Sequence, residues 1–120
     1  MRISEAAAIS GLGIDTIRYY EKSGIVPCID RGSDGQRRFT PENIDWLTLL
    51  YWLRQTGMPL KTMRRFATLY AQGGQTVPAR KAVLMAHAEQ LAKRREELDR
   101  CEVVLAHKLA IYEEFEKGTP

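Results

Sequence analysis

Apolar residues recur at helical spacing along most of the chain, and glycine or proline interrupts the pattern at a few points. Residues 3–9 and about 14–23 are two short helical stretches separated by a glycine-containing turn at 10–13. We predict Ser4 as the N-cap of the first helix and Gly24 as the left-handed stop of the second. Two short helices joined by such a turn predict a helix-turn-helix.

The segment that follows is too polar and turn-rich for a helix, and its sequence predicts a hairpin. Asp34-Gly35 is the strongest short hairpin signal in the chain, with residues 28–31 and 36–39 as possible strands. A hairpin directly after a helix-turn-helix predicts a wing.

Two further helices are predicted after the wing. Thr40 is placed to act as the N-cap of the third helix, with Pro41 at its first position. Gly57 ends this helix, and Pro59 begins a fourth helix that runs to about Ala71.

A long helix is predicted after the glycine-rich stretch at 73–77, because residues 79–115 contain neither glycine nor proline. About 36 residues of helix would extend roughly 54 Å, more than a domain of ~75 residues could cover. We therefore predict pairing with a second copy rather than a lone solvated helix, in a direction that the seam does not reveal. The predicted seam consists of Leu84, Leu91, Leu98, Cys101, Leu105, Leu109 and Tyr112.

The distribution of charge adds a functional indication. Residues 1–70 hold ten Lys or Arg against seven Asp or Glu, whereas residues 71–120 hold eight of each, so the net charge of +3 lies in the first part. A polyanion would bind there. The composition, with 44% hydrophobic residues, is that of a soluble globular protein. No apolar run approaches the ~18 residues of a membrane span, so we expect a cytoplasmic protein.

The second helix and the wing carry residues suited to DNA. Arginine binds phosphates or the acceptor edge of guanine, and tyrosine offers a hydroxyl to a phosphate. Because adjacent helical residues point about 100° apart, at most one of Tyr19 and Tyr20 can be deeply buried. Arg31, Arg37 and Arg38 bracket the hairpin turn and predict a basic wing that lies along the DNA backbone.

Three strings in order, TIRYYEKSGIV, DGQRRF and LRQTGMPL, resemble the MerR family of bacterial transcription regulators over almost the whole chain. The resemblance implies homodimers joined by an antiparallel coiled coil of long helices and bound to a near-palindromic operator in an over-long promoter spacer. Such regulators bend and untwist the DNA, which realigns the promoter elements for RNA polymerase. The implied partners are therefore double-stranded promoter DNA, a second copy of the chain and, indirectly, RNA polymerase, with no cofactor and no membrane.

The resemblance also implies DNA contacts from the recognition helix, the wing and the two helices after it. The implied residues are Thr16, Arg18, Tyr19, Tyr20, Lys22, Arg31, Gln36, Arg37, Arg38, Arg54 and Lys61. The sequence departs from the family pattern at Gln36 and Phe39, where tyrosine is common. Gln36 can still reach a phosphate or sugar, whereas we predict that Phe39 packs in the core.

The effector does not follow from the resemblance. Large drug sensors of the family append an effector domain, and metal sensors usually place cysteines at both ends of the dimerisation helix. Here Cys101 lies in mid-helix, six residues before His107, and we predict no metal site. The nearest subgroup is the thiol or aldehyde stress sensors, but Trp52 occupies the position of their cysteine.

Other triggers remain open. Cys28 and Cys101 are candidate redox sensors, although each is more often a packing residue. A small apolar ligand near Trp46, Tyr51 and Trp52 is a further alternative to a purely structural role for these aromatic residues.

We thus predict a mainly α protein with a winged helix-turn-helix DNA-binding domain at 1–72, a linker at 73–77 and a dimerisation helix at 78–116. Its predicted function is sequence-specific transcription regulation, by activation or repression through DNA distortion. The alternatives are an architectural DNA binder without an inducer and a coiled-coil protein-interaction module. An enzyme is not predicted, because the sequence has no nucleophile–base pair, phosphate loop or paired carboxylates.

Overall fold

The computed structural model describes residues 1–118 and contains five α-helices. These are α1 (Ile3–Ser10), α2 (Ile14–Lys22), α3 (Pro41–Gln55), α4 (Leu60–Ala71) and α5 (Val77–Glu116). A short 3-10 turn at Gly74–Thr76 precedes α5. The predicted mainly α class is confirmed. The residues form two compact units, one spanning Met1–Leu84 and one beginning at Met85.

Two residues at the ends of the first two helices were predicted, the N-cap of α1 and the glycine stop after α2, and only the second prediction is confirmed. The N-cap of α1 is Arg2, so the prediction of Ser4 was wrong. The Glu5 carboxylate accepts a hydrogen bond from the Arg2 amide at 3.3 Å, which stabilises Arg2 as the cap of a helix that begins at Ile3, as predicted. Beyond α2, Gly24 has a φ of 83° and takes the left-handed conformation predicted for the stop.

The start of α3 follows directly from its sequence. Thr40 Oγ1 accepts a hydrogen bond from the Asn43 amide at 3.1 Å, and Asn43 Oδ1 accepts one from the Thr40 amide at 2.9 Å. This reciprocal pair satisfies two amides that the helix itself leaves unpaired. Pro41 occupies the first helical position, where a missing N–H costs nothing.

The wing is a minimal hairpin. Its two predicted strands are not formed, and within residues 1–118 the only bridge is between Arg31 and Arg37. The Gly32 amide donates to Gln36 O at 2.8 Å, and the Gly35 amide donates to Gly32 O at 2.9 Å. Only Gly35 in this loop has a positive φ, of 78°. The turn is therefore a three-residue loop with a left-handed glycine, not a two-residue turn with two positive φ angles.

The core of the first unit lies where α1 to α4 meet, and it also holds residues from the wing and from α5. Leu47 and Leu50 of α3 are fully buried at its centre. Phe39, at the base of the wing, is 3% exposed, which confirms its predicted packing role. Val83 of α5 is 7% exposed, and Leu84 packs against the same cluster. The first turns of α5 therefore belong to the core of the first unit.

The predicted linker is tied down by hydrogen bonds. The buried Thr76 hydroxyl lies 2.6 Å from Leu69 O and 2.7 Å from Gly73 O. Arg80 donates from Nε to Thr76 Oγ1 at 3.0 Å and from Nη2 to Gly73 O at 3.1 Å. These bonds join the end of α4 to the start of α5 within the first unit.

We expect Leu50→Ala to lower the free energy of unfolding by about 2–5 kcal/mol, because it removes a fully buried side chain and leaves a cavity. Urea unfolding at one fixed protein concentration, followed by circular dichroism, measures the change. Ile9 of α1 is 56% exposed, so Ile9→Ala is the control and should change stability by about 0.5 kcal/mol or less. Equal losses in the two variants would contradict the assignment of Leu50 to the core.

Candidate nucleic-acid interface

The helix α2 separates its buried and exposed side chains by its periodicity. Ile17 packs into the core at 1% exposure. Arg18 and Lys22, four residues apart, share an exposed face, and Tyr19 beside them is 48% exposed. Arg18 has only a long contact with Asp15, at 3.6 Å between exposed groups, which leaves its guanidinium accessible to a ligand.

Tyr20, which was predicted as a DNA contact, lies in the core of the structure at 4% exposure, and the predicted contact is therefore corrected. Burial raises the pKa of its hydroxyl, an effect that the nearby positive charge of Arg54 opposes. Spacing explains the difference between the two tyrosines, because Tyr20 lies three residues after Ile17 and shares its inward face.

A recess of about 330 Å³ lies at the N-terminal end of α2. Its polar wall includes Thr16 and Gln55, and Arg54 supplies a positive charge. Arg54 donates from Nη1 to Met58 O at 3.1 Å, which leaves its other donors available. Hydrogen-bond donors and a cation at the start of a helix have the chemistry that binds a phosphate oxygen. Thr16 and Arg54, predicted separately, therefore line one recess, together with the buried Tyr20.

Arg64 of α4 was not predicted as a site residue. Its Nη2 donates to the Tyr19 hydroxyl at 3.3 Å, a contact between residues 45 positions apart. This bond places an exposed guanidinium beside the exposed tyrosine of α2. Spacing could have suggested it, because Arg64 follows Lys61 by three residues and Arg65 follows it by four on α4. Of these, only Lys61 was predicted, and it is exposed.

The tip of the wing carries two exposed arginines, of which Arg38 pairs with the Asp34 carboxylate and Arg31 bonds the backbone. Arg38 Nη2 lies 3.1 Å from Asp34 Oδ2, and Arg31 Nη1 donates to Gly35 O at 2.8 Å. The hydrogen bond that Asp34 accepts from the Gln36 amide lowers the pKa of its carboxyl, and the positive charge of Arg38 adds to the effect. Arg31, Gln36 and Arg38 are exposed, and their contact with DNA stays a prediction.

Arg37 has a different environment from the other wing arginines. Its Nε lies 2.7 Å from Glu21 Oε1, and the two side chains are 20% and 17% exposed. The second oxygen of Glu21 accepts a hydrogen bond from the Ile29 amide at 3.3 Å. Arg37 was predicted as a wing contact with DNA, and that contact stays a prediction. In the structure its Nε joins the wing to the end of α2, which favours a positioning role.

The second unit exposes an apolar stripe. Leu98, Leu105 and Leu109 of the predicted seam are 55–60% exposed, and Tyr112 is 52% exposed. Two further residues extend the stripe beyond the predicted seam. Phe115, 74% exposed, continues the heptad two repeats after Cys101, and Val104, 68% exposed, widens the stripe beside Leu105. An exposed apolar surface of this extent marks an interaction site. Leu84 and Leu91 of the seam are half-buried, and Leu84 packs in the first unit.

Cys28 and Cys101 are exposed free thiols, and their possible sensor role stays a prediction. Among residues 1–118 there is no group of three His, Cys, Asp or Glu side chains placed to hold a metal ion. No helix in the same range is long and apolar enough to cross a membrane.

Comparisons with known proteins agree with this geometry. The family described as "MerR HTH family regulatory protein" matches residues 1–68, and "MerR, DNA binding" matches residues 44–108. An uncharacterized HTH-type transcriptional regulator of Haemophilus influenzae is 36% identical over 92% of this chain and 82% of its own length. The HTH-type transcriptional regulator AdhR of Bacillus subtilis is 33% identical over 76% of this chain, which spans 65% of AdhR.

The comparison with solved structures includes a DNA complex. HiNmlR, a MerR family regulator lacking the sensor domain, was crystallised bound to promoter DNA. It superposes with a TM-score of 0.85 at 34% identity, over 94% of this chain and 90% of HiNmlR.

Proposed function

The chain belongs to the MerR family of DNA-binding transcriptional regulators, which are not enzymes, and from this premise we propose that it acts as a homodimer on a near-palindromic operator within a long promoter spacer. Binding would distort the DNA, and the deformation would either align or separate the promoter elements for RNA polymerase. Such a regulator acts in the cytoplasm, where the promoter and the polymerase are.

One observation carries the proposal: exposed cations from the wing and from three helices surround the helix-turn-helix. In this arrangement Arg18 and Lys22 of α2 enter the major groove, and Tyr19 contacts a phosphate at its edge. Arg31 and Arg38, at the tip of the wing, lie along the adjacent backbone. The remaining proposed contacts are to the DNA backbone, and they orient the protein without reading bases. They come from Gln36, Lys61, Arg64 and the recess.

The recess at the start of α2 fits one backbone phosphate. Thr16 can donate its hydroxyl, and Arg54 can donate from the nitrogens that Met58 O does not use. The partial positive charge at the end of the helix adds to this attraction. Because Tyr20 lines the recess from the core, its role is to shape the wall of the recess.

The apolar stripe on α5 supplies the dimer contact. We assign the predicted seam from Leu91 onward, continued by Phe115 and widened by Val104, to an antiparallel pairing with α5 of a second copy. An operator with two similar half-sites requires two copies of the recognition helix at a fixed separation, and a paired long helix provides this.

Footprinting of the purified protein on the promoters of its own and neighbouring genes tests the function directly. We expect protection centred in a promoter spacer of unusual length, with symmetric half-sites. If a well-folded dimer protects no site, the protein-interaction alternative becomes the better explanation. Protection without any effect on transcription from that promoter would favour the architectural alternative.

Arg18→Ala should weaken specific binding to the footprinted operator by about 10- to 100-fold, which corresponds to the loss of one bidentate base contact. Fluorescence anisotropy at fixed salt concentration measures the affinity. The control is Arg100→Ala, which removes the same charge from an exposed position on α5 and should change the affinity by less than about threefold. An equal loss in both variants would refute a specific role for Arg18.

A further inference from the structure

A groove of about 300 Å³ in the first unit has no role in the proposed DNA contacts. It lies between α3, α4 and the segment that follows α2. Its walls are formed by Pro27, Glu42, Asp45, Trp46, Leu49 and Tyr70. The volume is at the lower end of the range for small-molecule sites.

The aromatic wall of the groove is held rigidly. The Trp46 ring stacks on Phe66 with centroids 5.2 Å apart and an angle of 7° between the planes, and Tyr70 lies 4.7 Å from Trp46. Trp46 Nε1 donates to Ile25 O at 2.9 Å, which fixes the indole. Arg80 already lies 5.2 Å from the Tyr70 centroid, an arrangement typical of cation–π attraction. The rings are therefore ordered before any ligand arrives, and the position of Arg80 shows that the Tyr70 ring attracts positive charge.

The groove also carries two carboxylates in a region of basic excess. Glu42 and Asp45 are exposed and lie three residues apart on α3. Among residues 1–118 no ion pair includes either of them. Arg80 contacts Tyr70, but no basic side chain lines the groove itself. Aromatic faces beside two unneutralised carboxylates are complementary to a cation with an apolar body.

We propose that this groove binds a small organic cation, with its apolar part against Trp46 and Tyr70 and its ammonium group near Glu42 and Asp45. Asp45 and Arg54 are nine residues apart on α3, which places them on opposite faces of the helix. The cation site and the phosphate recess thus share one helix but not one face. Cation binding does not depend on the proposed DNA contacts.

Titration with benzyltrimethylammonium, followed by tryptophan fluorescence, tests the site. The Trp52→Phe variant leaves Trp46 as the only tryptophan, so the signal reports on the groove. At constant ionic strength we expect saturable quenching with a Kd of about 1 mM or tighter. Benzyl alcohol, which has the same ring without the charge, should bind at least about tenfold more weakly.

A pair of charge-matched variants, in the same Trp52→Phe background, locates the site. Glu42→Gln with Asp45→Asn should raise the Kd at least about tenfold. Glu89→Gln with Asp99→Asn removes the same charge from exposed positions on α5 and should leave the Kd within about twofold. Circular dichroism checks that both variants are folded, and Asp45→Asn alone serves if the double variant is not.

Three results would overturn the proposal: quenching that does not saturate, equal affinity for the alcohol, and equal effects of the two double variants. The alcohol comparison needs no variant in the groove, so it decides even if those variants are unstable. Because no DNA is present in the titration, a failure here would leave the proposed function untouched.

Discussion

Leu98→Glu should convert the dimer to monomers. Leu98 is 60% exposed in the single chain and lies in the stripe assigned to the dimer contact. The change removes an apolar side chain worth about 2 kcal/mol of burial from each copy, so we expect the dimer Kd to rise at least about 1,000-fold. The cost of burying a carboxylate increases the effect. Sedimentation velocity at several protein concentrations measures the oligomeric state.

Val103→Glu is the matched control for this variant. Val103 is 69% exposed on the same helix, but five residues from Leu98 it points about 140° away. We expect this variant to remain dimeric and to bind the operator normally. The Leu98→Glu monomer should bind only to single half-sites of the operator, with an affinity close to its affinity for unrelated DNA. If Leu98→Glu sediments as a dimer at low micromolar concentration, the proposed seam is wrong.

Arg37→Met should weaken operator binding about 10- to 100-fold even though Arg37 is not a proposed DNA contact. The variant leaves the half-buried Glu21 carboxylate without its charged partner, which costs about 1.5–3 kcal/mol for a charged hydrogen bond. The wing would then no longer be held against α2. A double-mutant cycle with Glu21→Gln, read out as operator affinity, should show strong non-additivity, because both changes break the same bond.

The salt dependence of binding distinguishes this positioning role from a phosphate contact. Arg37→Met should leave the slope of log affinity against log salt almost unchanged. Arg31→Met, at the exposed tip of the same wing, should reduce the slope by about 1 and should combine additively with Glu21→Gln. A reduced slope for Arg37→Met, with additivity, would show that Arg37 contacts DNA after all.

The features that the sequence predicted correctly are those determined by neighbouring residues. Thr40 and Pro41 begin α3 as expected, because a cap depends only on the side chains of one helical turn. Gly24 has the expected left-handed backbone for the same reason. The wing was predicted in the right place, but its strands were not formed. The pairing of a hairpin depends on the length and conformation of its whole loop. Here Gly32 and Gln36 close a three-residue loop, and beyond it a single bridge forms instead of two strands.

The roles of individual site residues were harder to predict, because they depend on distant partners. Helical spacing limits deep burial to one of Tyr19 and Tyr20, and it points to Tyr20 only once Ile17 is known to be buried. The bond between Arg37 and Glu21 spans 16 positions, and that between Arg64 and Tyr19 spans 45. In the sequence the three arginines of the wing cannot be distinguished, whereas in the structure the ion pair with Glu21 gives Arg37 a structural role. Similarly, the widening of the stripe on α5 follows from the exposure of Val104, which lies off the heptad positions, whereas Phe115 continues the heptad two repeats after Cys101.

The hydrogen bonds around Thr76 limit how this protein can be divided into fragments. The glycine pair at 73–74 would be the natural place to cut for anyone guided by composition. A fragment ending there would lose Thr76, which bridges Leu69 and Gly73, and Val83, which fills part of the core. The smallest piece expected to fold on its own therefore ends no earlier than Leu84. In gene fusions and in evolution, a recognition module transplanted from this protein must include the first two turns of α5.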